Sequence, residues 1–136
     1  MFEYDKSNKP LLDKLNILVA DSSNDCALLF RLILMRAGAT VTTVSKANQI
    51  DELLERQKFD VVLLDTRLPD EAAPETICRI RSKYCDISIV VVTTDISKEM
   101  RQNNFEAGCD DYLLKPIEVE KLLATIASAT RDKKII

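Results

Sequence analysis

A fivefold alternation of apolar, strand-like runs with segments of helical period constrains the fold more than any other feature of this sequence. The strand-like runs are NILVA (16–20), TVTTV (40–44), DVVLLD (60–65), ISIVVVTT (87–94) and DYLLK (111–115). Segments with helical spacing follow near 24–37, 46–57, 74–84 and 96–107, and a last one carries Val119, Leu122, Leu123 and Ile126 on one face. Strict alternation of this kind predicts a parallel sheet with helices on both faces.

The apolar pattern of the strands also predicts their order. The first, third and fourth runs are apolar on both faces, as central parallel strands must be, whereas TVTTV alternates as an edge strand does. We therefore predict an α/β, flavodoxin-like (βα)5 fold, a doubly wound five-stranded parallel sheet with strand order 2-1-3-4-5. Residues 16–131 form the predicted domain, and 132–136 form a tail. Residues 1–15 form a polar lead-in, either disordered or with a short helix around Leu11–Leu15.

Composition argues against several classes of function. A length of 136 residues fits one domain, and a net charge of −3 without a basic block does not favour nucleic acid or an anionic membrane. No apolar stretch approaches the roughly 20 residues of a membrane span. MFEYDKSNK lacks the apolar core of a signal peptide, so we predict a cytoplasmic protein without membrane contact.

Histidine and cysteine usage removes further possibilities. The chain contains no histidine, which excludes Ser-His and Cys-His nucleophile pairs. Its four cysteines show no C-x-x-C spacing, and we interpret them as reduced, mostly buried thiols: Cys26, Cys78, Cys85 and Cys109.

Polar side chains are predicted to converge at the carboxyl ends of the strands, where sheets of this kind bind ligands. Asp21 follows the first strand, Asp65 ends the third, Thr93 and Thr94 end the fourth, and Lys115 ends the fifth. Clustered carboxylates suit Mg²⁺, and a carboxylate can accept a phosphoryl group. Mg²⁺ and a lysine would stabilise the charge on the phosphoryl oxygens during transfer. The predicted chemistry is therefore formation of an aspartyl phosphate.

The sequence resembles the receiver domains of two-component signalling over roughly residues 15–130. The resemblance lies in the order and spacing of ILVAD, VVLLDTRLPD, IVVVTTD and GCDDYLLKP. The D-x-x-x-P at 65–69 and the Lys-Pro pair at 115–116 are the most specific parts of the match. Two further segments most closely resemble the receivers of hybrid sensor histidine kinases, namely KPIEVEKLLATI and LLDKLNILVAD. The chain could therefore be a segment of such a kinase.

The resemblance implies a role for each residue of the site. Asp65 would be the phosphoacceptor and Lys115 the phosphate-contacting lysine. Thr93 would be the switch hydroxyl and Tyr112 the switch aromatic, which changes rotamer when the phosphoryl group draws Thr93 inward. Mg²⁺ would be held by Asp21, Asp65 and the backbone carbonyl of Arg67. A cis peptide bond before Pro116 is also implied.

Two departures from the receiver pattern bear on these expectations. Receivers usually carry two adjacent acids after the first strand, but this chain has Asp21-Ser22, which predicts weakened Mg²⁺ binding. Asp25 is expected in the first helical turn as a partner of the helix dipole rather than of the metal. Ala73 stands where receivers usually have glycine, which predicts a stiffer or differently shaped loop.

The first helix suggests a partner surface because apolar residues surround most of its circumference: Cys26, Ala27, Leu28, Leu29, Phe30, Leu32, Ile33, Leu34 and Met35. A helix packed on one face of a sheet needs only an apolar stripe, and exposed apolar patches often mark contacts. The resemblance implies docking of a histidine kinase or a histidine phosphotransfer protein here. A mostly buried helix with one or two exposed leucines and a weak homodimer remain open alternatives.

Three functions compete for this sequence. The first is a phosphoaccepting receiver, with self-phosphorylation and autodephosphorylation as its only enzymatic activity. The second is a degenerate pseudo-receiver that binds a partner without phosphorylation. The third is an enzyme on the same fold, but a haloacid-dehalogenase-type phosphatase needs an aspartate where Arg67 stands. A nucleotide or flavin site needs a glycine-rich loop, and the only glycines are Gly38 and Gly108, both at predicted helix ends.

Overall fold

The computed structural model describes residue 4 and residues 9–134, with side chains described as far as residue 131. Five strands alternate with five helices along that part of the chain: β1 Asn16–Ala20, α1 Asn24–Arg36, β2 Thr40–Val44, α2 Ala47–Arg56, β3 Val61–Asp65, α3 Ala73–Lys83, β4 Ser88–Thr93, α4 Lys98–Ala107, β5 Asp111–Leu114 and α5 Val119–Lys134. All neighbouring strands are parallel, in the order β2-β1-β3-β4-β5. The predicted flavodoxin-like fold and strand order are confirmed.

The core has two layers because successive side chains of a strand point to opposite faces of the sheet. Ile17 and Val19 of β1 join the layer that contains Phe30 and Leu34 of α1 together with residues of α5. Leu18 of β1 joins the layer formed with α2 and α3. Both layers are closed by helices, which explains why the central strands are apolar on both faces.

A polar cap begins α1, and the two glycines lie at helix ends, as the sequence predicts for both glycines. The Ser23 hydroxyl accepts a hydrogen bond from the Cys26 amide at the start of α1. Gly108 ends α4 with a φ of 118°, in the left-handed region that favours glycine. At Gly38, which follows α1 with a φ of 101°, a Cβ atom would lie 2.6 Å from the Cβ of Pro10.

The segment before β1 packs against the domain. Leu12 and Leu15 are buried, and the Leu12 amide donates a hydrogen bond of 2.9 Å to the Ala37 carbonyl. Residues 11–14 form a turn, so the short helix expected at Leu11–Leu15 is wrong. Its two leucines face the core instead. Residues 1–3 and 5–8 of the lead-in, and residues 135–136 of the tail, lie outside the described part.

The expectation of mostly buried cysteines is also wrong, although all four are free thiols. Cys109 is buried and Cys26 is half-buried, but Cys78 and Cys85 are exposed. The buried face of α3 is supplied by Ile77 and Ile80, which turns Cys78 towards solvent. No helix in the described residues has the length and apolar character to cross a membrane.

Candidate functional site at the carboxyl end of the sheet

Two carboxylates and one ammonium group meet at the carboxyl end of the sheet. β1 and β3 are neighbours, with Ala20 paired to Leu64, so Asp21 and Asp65 follow the two strands side by side. Both side chains are buried. The Lys115 Nζ lies 3.2 Å from Asp21 Oδ2 and 3.5 Å from Asp65 Oδ2. The structure therefore brings together residues from three distant parts of the sequence, with Lys115 and Asp21 separated by 94 positions.

The other oxygen of each carboxylate is held by its own loop. The Ser23 amide donates to Asp21 Oδ1 at 2.9 Å, and the Arg67 amide donates to Asp65 Oδ1 at 3.2 Å. Arg67 therefore lies directly beside the expected phosphoacceptor, and its side chain is exposed. Each carboxylate oxygen has two lone pairs, so both groups keep acceptor capacity for a further ligand.

The electrostatics of the cluster favour an additional positive charge. Burial raises the pKa of Asp65, the Asp21 carboxylate raises it further, and Lys115 counteracts only part of this. For Lys115, burial alone would lower its pKa, but Asp65 and Asp21 outweigh that effect and raise it. One ammonium is thus shared by two carboxylates, which leaves the cluster with a net negative charge.

A divalent cation with oxygen ligands fits this arrangement. Mg²⁺ is usually held by one or two carboxylates and keeps several waters, and Asp21 with Asp65 meets that requirement. Within the described residues there is no group of three or more His, Cys, Asp or Glu side chains that could hold a metal. Ser22 is exposed and adds no charge, and Asp25 lies exposed in the first turn of α1. The protein thus offers two carboxylates, not three.

Thr93 ends β4 with a buried hydroxyl that already has two partners. Its Oγ1 lies 2.8 Å from the Oγ1 of Thr66 and accepts a hydrogen bond of 3.0 Å from the Asp95 amide. The Lys115 amide donates to the Thr93 carbonyl at 2.8 Å, which ties the ends of β4 and β5 together. Sequence analysis did not identify Thr66. The available signal was a hydroxyl residue immediately after the expected phosphoacceptor, beside the end of β4.

Tyr112, in β5, is partly buried next to the loop that follows β4. Its hydroxyl donates a long hydrogen bond of 3.4 Å to the Asp95 carbonyl. The Phe105 ring lies 6.2 Å away, centroid to centroid, and the guanidinium of Arg101 lies 5.7 Å from the Tyr112 ring centroid. The following Lys115-Pro116 bond is cis, as the resemblance implies.

The loop between β3 and α3 is fastened to helix α2. The carboxylate of Asp70 accepts hydrogen bonds of 2.8 and 3.0 Å from the amides of Ala47 and Asn48, which begin α2. Ala73 begins α3, and Lys14 is the only described non-glycine residue with a positive φ. Ala73 therefore does not need the backbone freedom of glycine. The predicted difference in loop shape stays a prediction.

Helix α1 presents a large apolar surface beside the site. The exposed fractions of Leu28, Leu29, Leu32 and Met35 are 54%, 58%, 59% and 48%. Ala27, Phe30 and Leu34 face the core. The alternative of one or two exposed leucines is therefore wrong, because four large apolar side chains are exposed.

A model of a protein family, described as response regulator receiver domain, matches residues 17–127 of this chain. Among relatives, the alginate biosynthesis transcriptional regulatory protein AlgB of Pseudomonas syringae pv. tomato is 33% identical over 110 residues. That match covers 80% of this chain and 25% of the relative. The chain thus spans about a quarter of the length of this relative.

Solved structures share the fold over nearly the whole chain. A CheY-like receiver domain protein from Methanospirillum hungatei superposes with a TM-score of 0.85 at 24% identity, covering 90% of this chain and 98% of that one. A response regulator protein from Burkholderia pseudomallei, described with a phosphorylated aspartic acid, a calcium ion and citrate, has a TM-score of 0.78 at 26% identity. That match covers 90% of this chain and 74% of the other.

Proposed function

Because this chain belongs to the family of response regulator receiver domains, we propose that Asp65 accepts a phosphoryl group from a phosphohistidine and thereby switches a protein-interaction surface. The observation that carries the proposal is the position of Lys115, whose ammonium lies within 3.5 Å of Asp65 and 3.2 Å of Asp21. We assign the receiver to residues 16–131, with residues 1–15 as a lead-in and 132–136 as a tail.

Phosphoryl transfer to Asp65 exchanges one bond to phosphorus for another. An Asp65 carboxylate oxygen attacks the phosphorus atom while the phosphorus–nitrogen bond of the phosphohistidine breaks. The imidazole nitrogen keeps the electron pair of that bond, and the product is a mixed anhydride on Asp65. Lys115, already beside Asp65, binds an oxygen of the transferred group and stabilises its charge.

Receiver domains bind Mg²⁺ at their acidic site, and we propose that Asp21, Asp65 and the backbone carbonyl of Arg67 hold it here. When bound, Mg²⁺ neutralises charge on the phosphoryl oxygens. The raised pKa of Asp65 supports the assignment, because a nearby cation keeps this carboxyl ionised and therefore nucleophilic. With Ser22 in place of a second acid, we propose a weakened affinity for Mg²⁺.

The switch is proposed to begin at Thr93. Its hydroxyl leaves Thr66 and donates to a phosphoryl oxygen on Asp65, and Tyr112 then moves into the vacated space. The movement of Thr93 and Tyr112 alters the surface formed by α4, β5 and α5, because β5 contains Tyr112 and the helices lie next to the strands that contain the two residues. The hydroxyl pair of Thr66 and Thr93 would then hold the resting state.

The phosphodonor is proposed to dock on α1. Receiver domains interact with histidine kinases and histidine phosphotransfer proteins, and the exposed Leu28, Leu29, Leu32 and Met35 provide an apolar contact surface of suitable position. A weak homodimer through the same helix is the competing use of this surface. Origin in a hybrid sensor kinase remains a prediction.

The direct test is the intact mass of the protein after incubation with acetyl phosphate, with and without Mg²⁺. We expect a Mg²⁺-dependent gain of one phosphoryl group that Asp65→Asn abolishes. Asp86→Asn, which removes an exposed carboxylate before β4, is the matched control and should be phosphorylated like the wild type. No gain at high Mg²⁺ concentration would reject the proposal and favour the pseudo-receiver, which binds its partner unmodified.

A further inference from the structure

Asn104 in α4 has a buried side chain whose amide lacks partners. Its side chain is fully buried, and neither Nδ2 nor Oδ1 has a hydrogen-bond partner among the residues that the structure describes. Buried polar groups in native proteins are nearly always paired, and an exception calls for an explanation. The next residue along, Phe105, packs against Tyr112, so α4 and β5 meet at this point.

The Tyr112 ring lies against the side of α4 that carries this amide, because it contacts Arg101, three residues before Asn104, and Phe105, the residue after it. Burial and the Asp95 carboxylate raise the pKa of Tyr112, and the side chains of Thr93 and Asn104 counteract only part of this, although Asn104 makes no hydrogen bond. The hydroxyl has only the 3.4 Å bond to the Asp95 carbonyl, close to the limit for a hydrogen bond. An unpaired amide therefore lies beside a weakly held hydroxyl.

We propose that Asn104 is the buried hydrogen-bond partner of Tyr112 in the phosphorylated state, which makes it a positioning residue of the switch. The inference rests on the proposed function, because it needs Thr93 to turn towards the phosphoryl group. When Thr93 turns, the Tyr112 hydroxyl leaves the Asp95 carbonyl and donates to Asn104 Oδ1.

The energetic consequence follows from the difference between the two states. In the resting state the Asn104 amide is buried without a partner, and in the phosphorylated state it gains one. A group that is paired in one state only shifts the equilibrium towards that state. One neutral hydrogen bond corresponds to about a fivefold change in the equilibrium constant.

Beryllofluoride, a noncovalent mimic of the phosphoryl group, provides the test in the presence of Mg²⁺. We expect Asn104→Leu, which keeps the branched shape and the number of heavy atoms but removes the amide, to weaken beryllofluoride binding about fivefold. Asn103→Leu makes the same chemical change at an exposed neighbour on α4 and should leave the affinity unchanged. In a Tyr112→Phe background, Asn104→Leu should have no further effect, because the hydroxyl that Asn104 binds is already absent.

A merely structural role for Asn104 gives a different pattern. Removal of an unpaired buried amide would then raise the unfolding free energy and leave beryllofluoride affinity unchanged, and that result overturns the proposal. An equal loss of affinity in the Tyr112→Phe background also overturns it.

A second readout separates this inference from the proposed function. Without any ligand, the side-chain NMR resonances of the Asn104 amide should shift in Tyr112→Phe and not in Tyr84→Phe. Failure of the wild type to bind beryllofluoride would refute the proposed function. In that case a shift of the amide resonances in ligand-free Tyr112→Phe would still show that Asn104 lies beside the Tyr112 hydroxyl, as the proposed pairing requires, and their constancy would refute the pairing.

Discussion

Asp65→Asn should make the protein more stable, because the carboxylate that serves as phosphoacceptor is unfavourable in the fold. At an effective dielectric constant of about 20, the contact of Asp65 with Lys115 is an attraction of about 5 kcal/mol. The Asp21 carboxylate repels Asp65 and offsets that attraction. With these two effects nearly cancelled, the cost of burying the charge remains. The amide of asparagine still accepts the hydrogen bond from the Arg67 amide. We expect a gain of about 1–2 kcal/mol at neutral pH, which is typical of functional residues replaced for stability.

The pH dependence of this gain has a definite sign. Because the pKa of Asp65 is raised above its ordinary value of 3.8, the folded protein retains a proton that the unfolded chain has released. The contribution of Asp65 to stability therefore falls as the pH rises from about 3.8 through the folded-state pKa. The advantage of Asp65→Asn is thus absent below about pH 3.8 and complete above the folded-state pKa.

Urea denaturation without Mg²⁺, followed by circular dichroism at pH 7 and at pH 3.5, measures both effects. A gain of 1–2 kcal/mol corresponds to a rise in Tm of roughly 3–8 °C for a domain of this size. Asp86→Asn removes the same charge from an exposed position and should change the unfolding free energy by less than about 0.5 kcal/mol. If Asp65→Asn is no more stable than Asp86→Asn at pH 7, the electrostatic reasoning about the site is wrong.

Three further predictions concern the metal, the packing and the thiols. Ser22→Asp supplies the missing acid and should tighten Mg²⁺ binding by about tenfold, because affinity rises with the number of charged ligands. Calorimetry measures this affinity. An unchanged value would mean that residue 22 does not reach the metal. Arg81 donates to the carbonyls of Ile87 and Gly108 and to the carboxylate of Asp110, so Arg81→Ala should cost about 2–3 kcal/mol of unfolding free energy in urea. The exposed pair of Arg56 with Glu52 is its control, and Arg56→Ala should cost less than about 1 kcal/mol. A chromogenic disulfide at pH 8 should modify the exposed thiols of Cys78 and Cys85 rapidly. It should modify Cys109 only after unfolding, because burial raises the pKa of that thiol to about 12. Rapid modification of Cys109 in the folded protein would contradict its burial.

The strand order and the convergence of Asp21, Asp65, Thr93 and Lys115 could be predicted from the sequence because both follow from general rules. Apolar runs without alternation belong to central strands, and the carboxyl ends of parallel strands meet at one edge of the sheet. The topology places these residues at one edge of the sheet. The contact of Lys115 with the two carboxylates also depends on the reach of its side chain, because β5 is separated from β3 by β4 and from β1 by both β3 and β4.

Other features could not be predicted, because they depend on which way a helix is turned. Asn103 and Asn104 are adjacent and identical in type, yet Asn104 is buried and Asn103 is exposed. A rotation of about 100° per residue separates them, and the polar sequence of α4 gives no apolar stripe from which to fix its orientation. The exposure of Cys78 has the same origin, since cysteine is apolar enough to fit either face of α3.

Identification of the phosphorylated residue tests the central claim most directly. An acyl phosphate on aspartate is reduced by borohydride to the alcohol, which converts that aspartate to homoserine. After incubation with acetyl phosphate and Mg²⁺, borohydride treatment and peptide mass spectrometry should locate homoserine at position 65 and nowhere else. Homoserine at another aspartate, or none in a protein that binds Mg²⁺, would contradict the assignment of Asp65 as the phosphoacceptor.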